Sequence, residues 1–109
     1  MKTQSWTGED GYKVVVVTGS GTAAMEMVIA NRFRSNDLVL VPTNGKFGER
    51  VADICERFCN VKHIRYDWGR SFDLYELEQQ LERGCYEALL ICHNETSAGI
   101  TQDAEAIAE

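Results

Sequence analysis

Four valines in a row, residues 14–17, run into Thr18-Gly19-Ser20-Gly21-Thr22. The next segment, residues 23–33, is nearly all apolar or small, with Ala23, Ala24, Met25, Met27, Val28, Ile29, Ala30 and Phe33. An unbroken β-branched run is the pattern of a strand covered on both faces, and such strands belong to parallel sheets joined by crossover helices. The helix after it is expected to be largely buried.

The same order recurs along the chain. Residues 38–41 form a second apolar run, stopped by Pro42-Thr43-Asn44-Gly45, where Asn-Gly is expected to supply a positive φ. Phe47, Val51, Ile54, Cys55 and Phe58 then share one helical stripe. Residues 61–66 predict a third strand. Asp73 and Glu76 read as a capping pair opening a helix with Leu74, Leu77 and Leu81 on one face, and Gly84 as its C-cap. Residues 86–92 predict a fourth strand, ending in the polar loop His93-Asn94-Glu95-Thr96-Ser97-Ala98-Gly99, and Asp103 opens a last amphipathic segment. The expected class is α/β with a mainly parallel sheet.

Composition narrows the function. Hydrophobic residues make up 44% and charged residues 26% of 109, the profile of a folded globular chain. Eleven Lys and Arg against seventeen Asp and Glu give −6, the wrong sign for nucleic acid or an anionic membrane surface. The apolar runs fall far short of the ~20 residues a bilayer span needs. The first ten residues carry no apolar stretch behind Lys2, so the expectation is a cytoplasmic chain. Cys55, Cys59, Cys85 and Cys92 contain no Cys-x-x-Cys pair and read as reduced core or near-core residues.

In open parallel sheets, ligands bind beyond the carboxyl ends of the strands, which places three loops under scrutiny. Gly19-Ser20-Gly21-Thr22 reads either as a tight strand-to-helix turn or as an anion cradle, with free amides and hydroxyls at a helix N-terminus. Gly19 to Ala24 also fits a loose dinucleotide fingerprint, but no acid stands near the end of the next strand to hold a ribose, and no Walker Gly-Lys-Ser/Thr is present. Phe47 either packs into its helical stripe or stacks on a planar ligand. His93 with Glu95 is too sparse for a zinc site, so no metal is expected.

Taken together, Val14 to Glu26, Asn44-Gly45-Lys46-Phe47-Gly48-Glu49-Arg50 and His93 to Gly99 resemble, in order and spacing, the class V pyridoxal-phosphate aminotransferases, and within them the alanine–glyoxylate and serine–pyruvate group. The resemblance runs from Lys13 onward. It implies the three-layer α/β large domain of fold type I, with residues 1–109 forming its N-terminal cofactor-binding portion. It further implies that Ser20, Gly21 and Thr22 cradle the phosphate of pyridoxal 5'-phosphate, that Phe47 stacks on its ring where many relatives carry Trp, and that Thr96 donates to its phenolic oxygen. Substrates are expected to be a small amino acid and a 2-oxo acid such as glyoxylate or pyruvate, and the intact protein is expected to be a homodimer.

Two family features have no match here. None of Lys2, Lys13, Lys46 and Lys62 occupies the motif of the Schiff-base lysine, and the Asp that pairs with the pyridine nitrogen is also unmatched. No residue is therefore assigned a catalytic role, and the chain is expected to be an incomplete domain, inactive alone. The first strand is expected to have no sheet neighbour within it. Two other readings stand beside this one: a Rossmann-like nucleotide-binding module, and a truncated, non-catalytic interaction protein.

Overall fold

The computed structural model describes residues 15–109. Its centre is β1 (Leu38–Thr43), where Val39, Leu40 and Val41 are almost completely excluded from solvent. β1 pairs in parallel with β2 (Asn60–Arg65) over six residues, from Leu38 opposite Asn60 to Thr43 opposite Arg65. Its other edge pairs in parallel with β3 (Ala88–Leu89), giving the order β2-β1-β3. The expected parallel sheet is therefore present. β3 is shorter than residues 86–92, because the chain leaves the ladder after Leu90 donates to the Leu40 carbonyl.

The two faces of β1 feed two cores, as the two-residue strand period requires. Val39 and Val41 meet Ile29 of α1 (Gly21–Arg32) and Phe33 at its C-cap, together with Ala52, Ile54 and Cys55 of α2 (Lys46–Cys55). Leu40 faces the opposite way, onto Leu77 of α3 (Leu74–Arg83) and onto Phe72 just before that helix, with Ile107 of α4 (Ala104–Ala108) at the margin. Helices on both faces make three layers. Each large aliphatic side chain sealed here contributes about 1.5–3 kcal/mol of transfer free energy.

Local signals fixed several element ends where expected. Asp73 caps α3 by accepting from the Glu76 amide at 3.1 Å, and Gly84 stands at its C-cap. The Glu76 carboxylate does not close a reciprocal box but accepts from the Tyr66 hydroxyl at 2.5 Å. Asp103 caps α4 through the Ala106 amide. No helix among the described residues is long and apolar enough to cross a membrane.

Two expectations about the N-terminal part are corrected. Residues 15–17 form no strand and are exposed, Val16 at 82%; Val14 lies outside the described residues. α1 is not largely buried: only Ile29 is sealed, while Val28 is 65% exposed. Its apolar residues surround the helix, but the sheet and α2 cover only one side.

Candidate functional site

Three chain segments converge at the carboxyl end of β1. β1 delivers Thr43, Asn44 and Gly45, all buried, directly into the first turn of α2. Beside that turn lies a small antiparallel hairpin of β4 (Asn94–Glu95) and β5 (Ile100–Thr101), joined by the 96–99 turn. α1 approaches from the other side: Arg50 of α2 donates to the Thr22 hydroxyl at 3.3 Å.

The hairpin and α2 are held together by one carboxylate. Glu95 is 0% exposed, and its oxygens accept from the Phe47 amide at 3.2 Å, the Gly48 amide at 2.7 Å and the Ser97 hydroxyl at 2.7 Å. Ser97 in turn accepts from the Lys46 amide at 2.8 Å. Burial pushes the Glu95 carboxyl up, but the Ser97 hydroxyl and the amides of Gly48, Phe47 and Ser97 outweigh it, and the group sits below the usual carboxylate value.

Gly45 does not supply the expected positive φ. Its φ is 179°, open to any residue, and Asn44 has no positive φ either. Glycine is needed there for space: a Cβ would overlap Cγ and Cδ of Glu95 and lie 2.8 Å from the Ser97 hydroxyl.

Phe47 is 39% exposed, with the Arg50 guanidinium 5.8 Å from its ring centre. Its ring therefore does not complete the buried stripe of α2, where Gly48, Ala52, Ile54 and Cys55 are sealed. At the α1 N-terminus the Ser20 hydroxyl caps the helix by accepting from the Ala23 amide at 3.1 Å. Gly21 and Thr22 precede the first intrahelical donor, so their amides point outward from the positive end of the helix dipole. No acid stands in that first turn, and nothing lies within 4 Å of where a Gly21 side chain would be. Thr96 is exposed at the hairpin turn, next to Glu95.

Ser20, Gly21 and Thr22 are thus linked to Phe47 through Arg50, and Phe47 to the Thr96 turn through Glu95. A fourth segment closes the rim: the Gly69 amide donates to the Asn44 carbonyl at 3.1 Å, and Asn44 Nδ2 donates to the Arg70 carbonyl at 2.6 Å. Below it, Thr43 Oγ1 and His63 Nε2 share a hydrogen bond of 2.7 Å; burial, then Arg65, push the His63 imidazole below its usual range. Sequence reasoning named Glu95 only as one polar loop residue and missed Arg50 and the 67–70 rim. A helix start at Gly45 with no capping side chain was the available signal for Glu95.

The arrangement suits a flat, anionic ligand: a helix N-terminus without acids for the anion, an aromatic face beside it, and an exposed hydroxyl-bearing turn tied to the aromatic's helix through Glu95. No group of three or more His, Cys, Asp or Glu side chains suited to a metal ion occurs among the described residues. The ribose acid that a Rossmann-like module calls for is absent from the end of β1, where Thr43 and Asn44 stand.

The sequence matches the family model Aminotransferase class-V over residues 2–109. The soluble hydrogenase 42 kDa subunit of Anabaena cylindrica is 35% identical over 106 residues, covering 94% of this chain and 28% of that protein. The alanine–glyoxylate aminotransferase of Callithrix jacchus is 34% identical over 96 residues, covering 87% and 23%. The solved structure of alanine–glyoxylate aminotransferase from Nostoc sp. superimposes with a TM-score of 0.75 at 42% identity, covering 81% of this chain and 24% of that one. The chain spans about a quarter of the length of these relatives, and its α/β fold is that of the Nostoc structure over the shared region.

Proposed function

We propose, from the premise that this chain belongs to the class-V aminotransferase family, that it forms the N-terminal, cofactor-facing portion of the large domain of a pyridoxal-phosphate enzyme. The reaction proposed is transfer of an amino group from a small amino acid of the alanine, serine or aspartate class to a 2-oxo acid such as glyoxylate or pyruvate. The alanine–glyoxylate relatives support that substrate class. The single observation that carries the reading is the half-open Phe47 ring held between an acid-free helix N-terminus and the Thr96 turn.

The residues present fit the cofactor. Ser20, Gly21 and Thr22 bind its phosphate, with the open space at Gly21 admitting phosphate oxygens close to the backbone. Phe47 covers one face of its ring and shields it from water. The Thr96 hydroxyl donates to its phenolic oxygen. When bound, pyridoxal phosphate supplies the carbonyl that takes up the amino group and the ring that withdraws electrons from the substrate α-carbon.

The proton-transferring lysine of the family has no counterpart among Lys2, Lys13, Lys46 and Lys62, and Lys46 lies 4.0 Å from Glu49 in an exposed ion pair. These 109 residues alone are therefore proposed to bind the cofactor without turnover, in a protein that is cytoplasmic and homodimeric when intact. The exposed Met27 and Val28 of α1 support the second point.

Titration with pyridoxal phosphate and with pyridoxamine phosphate, followed by absorbance and by tryptophan fluorescence, tests the reading. Saturable binding that Gly21→Asp abolishes is expected, because the substitution puts a charge and a side chain at the phosphate position. Equal affinity in Gly21→Asp removes the phosphate assignment, and no binding in the wild type removes the cofactor reading.

A further inference from the structure

Helix α2 begins without a cap of its own. Gly45 has no side chain to accept from the first-turn amides, and the crowding of its Cβ position by Glu95 and Ser97 excludes a residue that has one. The acceptor arrives instead from Glu95, far along the chain. A local Ser or Asp cap would steady α2 alone, whereas a cap from the hairpin fixes α2 and the 96–97 turn to each other.

A charge as deeply buried as Glu95 is normally paired with a cation. Among the described residues, the ion pairs are Arg32 with Glu87 and Lys46 with Glu49, and neither involves Glu95. Its charge is balanced by two backbone amides at the positive end of α2 and by the hydroxyl and amide of Ser97. One of those amides belongs to Phe47, whose ring is proposed to cover the cofactor, and the residue after Glu95 is Thr96.

We infer that Glu95 is a positioning residue that sets the spacing between the ring-covering Phe47 and the Thr96 hydroxyl by capping α2 from the neighbouring hairpin. This rests on the cofactor reading above, but it assigns a role to a side chain that touches no ligand. Glutamine keeps the shape of Glu95 yet presents an NH2 group to one of the two amides. Glu95→Gln therefore unlatches the hairpin while leaving the sheet intact.

The test uses the protein with pyridoxamine phosphate, which binds without a covalent bond, and amide hydrogen exchange read residue by residue. Glu95→Gln is expected to speed exchange at Phe47 and Gly48 by about 10- to 100-fold, the equivalent of one lost charge-assisted hydrogen bond, with Val39, Leu40 and Val41 unchanged as the check on folding. Affinity for pyridoxamine phosphate is expected to fall about tenfold. In a double-mutant cycle, Glu95→Gln is expected to weaken binding much less when Phe47 is already Ala, because Glu95 acts through that ring. A merely structural role predicts additive effects.

Wild-type binding with unchanged affinity in Glu95→Gln, unchanged exchange at Phe47 and Gly48, or full additivity overturns the positioning role alone. Failure of the wild type to bind pyridoxamine phosphate overturns the cofactor reading beneath it.

Discussion

Replacing Gly45 with Ala adds one methyl group to an exceptionally crowded point in the molecule. The new carbon overlaps Cγ and Cδ of Glu95 and approaches the Ser97 hydroxyl to 2.8 Å. Glu95 cannot swing into solvent, being 0% exposed, and the exposed Ser97 can turn away only by giving up its hydrogen bonds to Glu95 and the Lys46 amide. Relief requires the hairpin to move away from α2, which stretches at least one hydrogen bond to a buried charge, at roughly 1.5–3 kcal/mol. Overpacking itself adds roughly 1–3 kcal/mol. Against these stands a gain of about 0.4–1 kcal/mol from a stiffer unfolded chain, since the extended φ suits Ala.

The net expectation is a loss of roughly 1.5–5.5 kcal/mol, read as a drop of roughly 1–4 M in the urea midpoint at unchanged slope. Gly21→Ala is the matched control. Nothing lies within 4 Å of its new carbon, so stability is expected to stay within about 0.5 kcal/mol. A Gly45→Ala midpoint equal to that of the wild type refutes the argument that space, and not backbone conformation, requires glycine at this position.

Phe47→Ala is expected to weaken pyridoxal phosphate binding by roughly 1–3 kcal/mol in an absorbance titration while leaving the urea midpoint nearly in place, because the ring is partly exposed. The Glu95 carboxyl is held below its ordinary 4.5, so its contribution to stability is complete above that value and is lost as pH falls through the lower, folded-state value. Urea midpoints measured from neutral pH down to about pH 3 should fall below 4.5, and Glu95→Gln should flatten that part of the profile. Thiol labelling should distinguish the four cysteines: exposed Cys85 reacts first and Cys92 more slowly. Cys55 and Cys59 should react only on unfolding, since both are buried and burial pushes the Cys55 thiol up to about 12.

What could be read from the sequence was what acts over a few residues. The Asp73 and Asp103 caps sit within one turn of the amides they satisfy, and the stripe of α2 and the apolar residues of β1 show their periodicity within the element itself, so local patterns found them. α1 was misread because burial depends on what covers a helix. An all-apolar sequence records a buried surface without saying which surface buries it, and here the sheet and α2 reach only Ile29 and its neighbours. Asn44-Gly45 was misread because a dipeptide associated with turns conceals a packing requirement set by Glu95. The three loops of the site were visible as motifs, whereas the bonds that join them link residues 28 to 51 positions apart, beyond any local window.

The hairpin of β4 and β5 is also separable from the rest of the sheet. β1 pairs with β2 and β3, whereas the hairpin forms a two-stranded sheet of its own and meets α2 through Glu95 and Ser97. Its strands are two residues each, so it is a small latch beside the sheet. Opening it requires no loss of the β1 ladder, yet it frees the first turn of α2 and the Thr96 turn together. A ligand resting on both segments would therefore hold the latch shut, and its occupancy and the closing of the latch would share one free energy.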